Sequence, residues 1–344
     1  MPALINRGSM SANGFGFSIF TTGGGGCATD GTVGIFAIGC TAGKNPNVFS
    51  VVRNKYTYAS CTSTACGVGS ASLASAGGAA AGNSSRGIFA LGFICNGAAA
   101  TAVRNKYTYA CCSSTASGTA SASVASGYQS AAGNSTRGIF AIGAYFNPAP
   151  TSTATRNKYI YASDTSTACG IGAASAISFA GEAVGNSTRG IFALGEVGTI
   201  GGTAAPSTTR NKYIYACDTS TACGVAASSA TSAIGSAAGN STRGIFTLGL
   251  AGGAPSTTRN KYIYACDTST ASGVGTASAA TYGGSATGNS TRGIFSLGGT
   301  GAAALTTRNK YTYACDTSTA CGVAAASTTT SLGSAASWAL CVNT

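Results

Sequence analysis

The chain of 344 residues contains no histidine, which removes the commonest general base, the usual nucleophile triads and most zinc sites. Charge is also scarce: 8% of residues are charged and only seven are acidic. Four of those seven, Asp164, Asp218, Asp267 and Asp316, recur at one place in a repeat, in turns where aspartate commonly bonds its own backbone. Asp30, Glu182 and Glu196 stand outside that pattern, and no two of them are spaced as an acid/base pair. The expectation is that the chain is not an enzyme and carries no metal or cofactor. No apolar run approaches the roughly 18 to 20 residues that a membrane-spanning helix needs. Residues Met1 to Arg7 lack the basic region and apolar core of an export signal, so neither a membrane span nor secretion is expected.

Glycine, by contrast, is abundant: 51 residues in a sequence that is 44% apolar. Such a chain is too apolar for a disordered tract and too punctuated for helical bundles, and its composition is all-β. The step Gly-Ile-Phe recurs at Gly34, Gly87, Gly138, Gly190, Gly244 and Gly293, with a period of 49 to 54 residues. Between these steps Arg-Asn-Lys-Tyr recurs at Arg53, Arg104, Arg156, Arg210, Arg259 and Arg308. A repeat that long is a supersecondary unit of several strands. The formal net charge of +12 is largely repetition, since 12 of the 19 basic residues belong to the six Arg-Asn-Lys-Tyr copies. A basic balance built that way is weak evidence for a polyanion, and nucleic acid is not an expected partner.

Each unit reads as four strands. Gly-Ile-Phe-Ala-Leu-Gly has the continuous apolar character of an inner strand, and Arg-Asn-Lys-Tyr-Thr-Tyr-Ala alternates as a second. Asp218 to Thr221 is turn chemistry leading into a third strand at 222–228, and a weaker Gly-Ser-Ala-Ala segment is the outer fourth. Residues 1–33 and 337–344 are left over. Leu4 to Met10, Phe15 to Phe20 and Gly24 to Ala28 supply three further strands, and Trp338 to Val342 the missing inner one. The expectation is one domain over residues 1–344, a seven-bladed β-propeller of four-stranded antiparallel blades whose last blade is closed by both termini. Such closure removes exposed sheet edges. Six blades with unpaired ends is the alternative.

From each Arg to the next Gly-Ile-Phe glycine the distance is always 34 residues, whereas from that glycine to the next Arg it varies from 15 to 20. The variable stretches at 40–52, 93–103, 144–155 and 196–209 are therefore loops. In a four-stranded blade they share a face with the segments at 176–180 and 279–283, which vary in composition. Binding candidates on that face are the loop aromatics Phe49, Phe93, Tyr145 and Phe146, which a merely tolerated loop does not need. Arg53, Arg104, Arg156, Arg210, Arg259 and Arg308, at the adjoining strand ends, form a candidate cationic ring for phosphate- or carboxylate-bearing surface glycans. The other reading of these arginines is that their stems pack between blades while the charges reach solvent.

Five Asn-Ser-Thr or Asn-Ser-Ser tripeptides, from Asn83, Asn134, Asn186, Asn240 and Asn289, match glycosylation acceptors, but their regular recurrence favours a structural turn. Arg86, Arg137, Arg189, Arg243 and Arg292 in those turns are expected to form a structural ring with the hairpin aspartates. Cysteine exchanges with serine between copies; Cys217 with Cys223 and Cys315 with Cys321 stand opposite each other across hairpins, as disulfides or as free thiols.

The pair Gly-Asn-Ser-Thr-Arg-Gly-Ile-Phe-Ala-Leu-Gly and Arg-Asn-Lys-Tyr-Thr-Tyr-Ala resembles a kelch-like, Gly/Ser/Thr-rich propeller repeat of bacteriophage and cyanobacterial proteins, over about residues 34 to 336. The resemblance implies a virion-associated structural or adhesion protein, such as a tail or head appendage, made in the host cytoplasm and partnered by other virion or assembly proteins. A soluble carbohydrate-binding lectin and an intracellular interaction scaffold are the other readings.

Overall fold

Where strands from several sheets converge on one axis, only the smallest side chains fit, and the Ala- and Gly-rich segments occupy that place. The computed structural model describes residues 32–41, 48–94, 99–145, 151–200, 202–300 and 303–337. Among them there is no helix, and the main elements are six four-stranded antiparallel sheets. Sheet 4 runs outward from the axis as Glu182–Gly185, Arg189–Ala193, Arg210–Ile214 and Thr219–Thr221. Sheets 2, 3, 5 and 6 repeat that order from innermost strands Ala79–Gly82, Ser130–Gly133, Ser236–Gly239 and Ser285–Gly288. Sheet 1 takes its innermost strand from the far end of the chain: Ser334–Ser337 pairs with Val33–Ala37, which pairs with Arg53–Thr57 and then Thr62–Thr64. The six innermost strands surround a channel of about 80 Å³ walled by alanine and glycine. This is an all-β, propeller-like repeat array.

The expected strand order is corrected in two places. The Gly-Ala segment, expected outermost, is innermost, and Gly-Ile-Phe is second from the axis. Isoleucine and phenylalanine need the wedge of space that opens between sheets away from the axis, where Ile191 and Phe192 are buried. The third strand expected at 222–228 is an irregular crossing: the outer strand is Thr219–Thr221, and the chain then passes to sheet 5, where the Ala226 amide donates to the Asp267 carbonyl (3.2 Å).

A second ring lies at the loop end of the channel. The Gly77 amide donates to Leu332, Leu332 to Gly283, Gly283 to Ile234, Ile234 to Ala180 and Ala180 to Tyr128 (2.6–3.0 Å), and the Gln129 amide returns to the Gly77 carbonyl (3.2 Å). Gly77, Tyr128, Ala180, Ile234, Gly283 and Leu332 all hold φ between 52° and 67°. That conformation costs a non-glycine residue about 1–3 kcal/mol, and here the hydrogen-bonded ring fixes it.

Six four-stranded sheets lie among the described residues. Sheet 6 meets sheet 1 through the same bonds that join the other neighbours, with Arg308 donating to Ser63 and Asn54. Of the expected closing blade, residues 1–31 and 338–344, including Leu4 to Met10 and Trp338 to Val342, lie outside the described residues. Val33 and Ser337 belong to sheet 1.

Hydrophobic packing runs between neighbouring sheets. Val184, Ile191 and Ala193 of sheet 4 cluster with Phe246, Tyr262 and Tyr264 of sheet 5, and equivalent clusters fill the other joints. Each fully buried Ile or Phe contributes about 1.5–3 kcal/mol, so the joints between sheets carry most of the apolar stabilisation. Ala336, buried against Ile35, Phe89, Tyr107 and Tyr109, belongs to the strand that completes sheet 1. Ala336→Asp places an unpaired charge there and should cost about 3 kcal/mol or more. Calorimetry should show one transition moved down for the whole molecule; an unchanged main transition would mean that this strand does not hold the ring together.

Candidate functional site

The second variable of each unit, after the loops, is what fills the joints. In the Arg156 strand, alternation sends Arg156 and Lys158 toward sheet 4, while Asn157 reaches sheet 2. Arg156 Nη1 donates to the carbonyls of Gly172 and Ala173 (3.1 and 3.2 Å) and to Ser220 Oγ (2.6 Å), and Nη2 donates to Asn211 Oδ1 (3.2 Å). Its guanidinium carbon lies 4.5 Å from the centre of the Phe192 ring. The same set recurs for Arg53, Arg104, Arg210, Arg259 and Arg308, and all six arginines are 1% exposed. Burial lowers the Arg156 guanidinium to about 10, so it remains charged at neutral pH. Neutral carbonyls, a hydroxyl, an amide and an aromatic face surround that charge.

This corrects both readings of the arginines. They do not form a cationic ring open to a glycan, and their charges do not reach solvent, because the planar guanidinium is consumed by acceptors on the neighbouring sheet.

Nearer the opposite face, Asp218 accepts from Lys158 Nζ (2.5 Å) and Arg137 Nη1 (3.2 Å) of sheet 3 and from the Tyr213 hydroxyl (2.9 Å) of its own sheet. Asp164, Asp267 and Asp316 repeat the arrangement. Burial pushes the Asp218 carboxyl up, but hydrogen bonds from Lys158 and Tyr213 and the charges of Lys158 and Arg137 outweigh it and hold the carboxyl below its ordinary value. A lowered folded value gives stability that is present above the unfolded aspartate value of about 3.9 and is lost as pH falls through the folded one. The Asn-Ser-Thr turns are structural: Asn186 Oδ1 accepts from the amides of Thr188 and Arg189, and its Nδ2 donates to Ser241 of the next turn (3.1 Å). The hairpin cysteines Cys217, Cys223, Cys315 and Cys321 are free, exposed thiols.

Glu182 departs from its repeat, standing where Ser130, Ser236, Ser285 and Ser334 stand in four other sheets. It is fully buried, and burial pushes its carboxyl up to about 8, only partly offset by the charge of Arg210 and the amide of Gly235. Sequence reasoning passed over it because nothing in composition marks a buried glutamate.

The loop face carries a second layer of short strands. Ser178–Phe179, Glu196–Val197 and Ala205–Pro206 form one small sheet, and Ser232–Ala233, Leu250–Ala251 and Ala254–Pro255 another. Bridges such as Ser207↔Ser232 and Thr153↔Ser178 tie loops to the varying segments, so both kinds of variability do share one face. The loop aromatics part company there. Phe93 is buried, edge-on to Tyr128 with centroids 4.8 Å apart, and so packs the joint instead of meeting a ligand. Phe49 and Tyr145 are half-buried within bridged or paired backbone, and Phe146 lies outside the described residues. Among the described residues the exposed large apolar side chains are Val48, Val51, Leu73 and Ile177, at 38–51%, and all four lie on this face. The cavities beneath it, beside Arg53 and beside Arg156, have about 10 Å³ of free space each, room for about one water. Among the described residues no three His, Cys, Asp or Glu side chains group as metal ligands.

Compared with models of known protein families, the sequence matches none, and it matches no curated protein.

Two substitutions test the joints. Arg156→Lys keeps the charge but cannot reach two carbonyls, Ser220 and Asn211 from one plane; it should destabilise by about 2–3 kcal/mol in chemical unfolding, and an effect under 0.5 kcal/mol would show that the fork geometry is unimportant. Glu182 releases its proton near pH 4.3 when unfolded but only near 8 when folded. Its contribution to stability is therefore full at low pH and declines as pH rises through that window. Glu182→Ser should raise the melting temperature more at pH 8 than at pH 5; an equal change at both would mean that the carboxyl is not buried in protonated form.

Proposed function

We propose that the chain is a non-enzymatic docking protein: a six-bladed propeller, completed by Ser334–Ser337, that presents its loop face to another protein of an assembled particle. The virion-associated structural or adhesion role implied by the repeat resemblance is the setting of this proposal. The observation that carries it is the placement of Val48, Val51, Leu73 and Ile177 on the loop face, where exposed apolar side chains favour association. Rigidity supports it too, because loops bridged to one another and to the ring present a fixed surface and lose little freedom on binding. Protein docking is preferred over glycan binding because the arginines that would hold anionic sugars are spent inside the joints, and the repeated cavities are too small for a sugar ring.

Val48, Val51 and Leu73 lie in two segments joined by the Ala71 amide to the Val51 carbonyl (2.8 Å), which makes them one patch. The triple variant Val48→Ser, Val51→Ser, Leu73→Ser should keep the wild-type melting temperature and fall at least tenfold in copies per purified particle, counted by mass spectrometry. Wild-type copy number in that variant would overturn docking through this face, and absence of the unaltered protein from particles would overturn the virion setting.

A further inference from the structure

In two of the six joints a cysteine stands where the other four have aspartate. Cys61 and Cys112 hold φ of 54° and 51°, beside the 52–54° of Asp164, Asp218, Asp267 and Asp316, so the backbones present all six side chains alike. In the aspartate joints the carboxylate lies 2.5–2.6 Å from the lysine Nζ and 3.2–3.4 Å from the arginine Nη1. The tyrosine of the same sheet donates to it at 2.7–2.9 Å.

Around Cys61 the donors remain and the acceptor is missing. Arg292 Nη1 is 3.8 Å from the thiol sulfur and bonds the Tyr58 carbonyl at 3.2 Å. Lys310 stands at the lysine position of the same sheet as Arg292. The Tyr56 hydroxyl, on a residue with 0% exposure, faces the thiol sulfur, a weak acceptor, and meets no oxygen or nitrogen acceptor. Cys112 is served by Lys55 at 3.8 Å, with the Tyr107 hydroxyl likewise facing only the thiol sulfur, but Val33 replaces the arginine there and exposed Cys111 lies beside it. Cys61 is the more complete site.

We propose that Cys61 is an oxidation site, and that its sulfinate product occupies the place of the missing aspartate and locks the joint between sheets 6 and 1. A sulfinate carries two oxygens and one negative charge on the atom attached to Cβ, as a carboxylate does. The thiolate is the form that reacts. The oxidant is hydrogen peroxide. The thiolate attacks one peroxide oxygen, the S–O bond forms as the O–O bond breaks, and water leaves: Cys–S⁻ + H₂O₂ gives Cys–SO⁻ + H₂O. A second peroxide repeats the step to Cys–SO₂⁻ and another water, sulfur having lost four electrons and the two peroxides having gained them. Half-buried Cys61 is reachable by so small an oxidant. The new oxygens accept from Arg292 and Tyr56, giving a buried hydroxyl a stronger acceptor than the thiol sulfur it now faces.

The test uses the whole chain. Peroxide at graded doses, followed by digestion and mass spectrometry, should add about 32 Da, two oxygens, to the Cys61 peptide before exposed Cys321 reaches that state, with a rise in melting temperature of about 2 °C or more. Cys61→Asp should show the raised melting temperature without peroxide and no further rise with it, while Cys61→Ser should fold and show neither gain. Oxidation of Cys321 with Cys61 still reduced, capture of Cys61 in a disulfide, or an oxidised Cys61 and a Cys61→Asp variant no more stable than the reduced wild type would each overturn the proposal.

Discussion

The buried arginine at each joint is the interaction on which the rest of the array depends. A guanidinium withdrawn from water tolerates few surroundings, and here each takes two backbone carbonyls, a serine and an asparagine from the next sheet together with an aromatic face. Those partners sit on three separate pieces of chain. The crossing segment, the outer strand and the third strand must therefore all be in place before the charge is satisfied, which makes each joint cooperative and fixes the angle between neighbouring sheets. The joints differ in their lower half, where aspartate, cysteine or valine changes how many charges are matched, and the ring tolerates this because the arginine set does not vary.

Much of the molecule was legible in the sequence. The period, the all-β class, the four-stranded unit and the common face of loops and variable segments all follow from spacing, because a length change marks where chain leaves the scaffold. Strand order was not legible. Hydropathy ranks Gly-Ile-Phe as the most interior strand, but distance from the axis is decided by side-chain volume, and Ala237 and Ala238 win that contest over Ile245 and Phe246. The side of the strand on which the arginines lie was visible in the alternation, whereas their depth was not, since a buried cation without a carboxylate depends on partners from distant chain. Phe93 looked like a binding aromatic for the same reason: only contact with Gly127 and Tyr128 shows that it fills a joint.

The loop-end ring at Gly77, Tyr128, Ala180, Ile234, Gly283 and Leu332 has a further property. Large residues fall in sheets 1, 3 and 5 and small ones in sheets 2, 4 and 6, so side chains that could not sit side by side at one radius alternate with space. Near-identical repeats thus need not be interchangeable: a unit moved by one place would bring two large residues together.

Sheet 1 alone is discontinuous in the chain, its innermost strand lying some three hundred residues from its neighbour. During synthesis sheets 2 to 6 each emerge whole and can pair at once, whereas Val33–Ala37 waits with an open edge for Ser334–Ser337. Until those residues leave the ribosome, the product is an open arc with a sheet edge at one end and an unmatched joint at the other, which is the kind of surface that chaperones and proteases engage. Sheet 1 is therefore completed only after the other five, and a chain interrupted before Ser334 is marked as such by its own open edge.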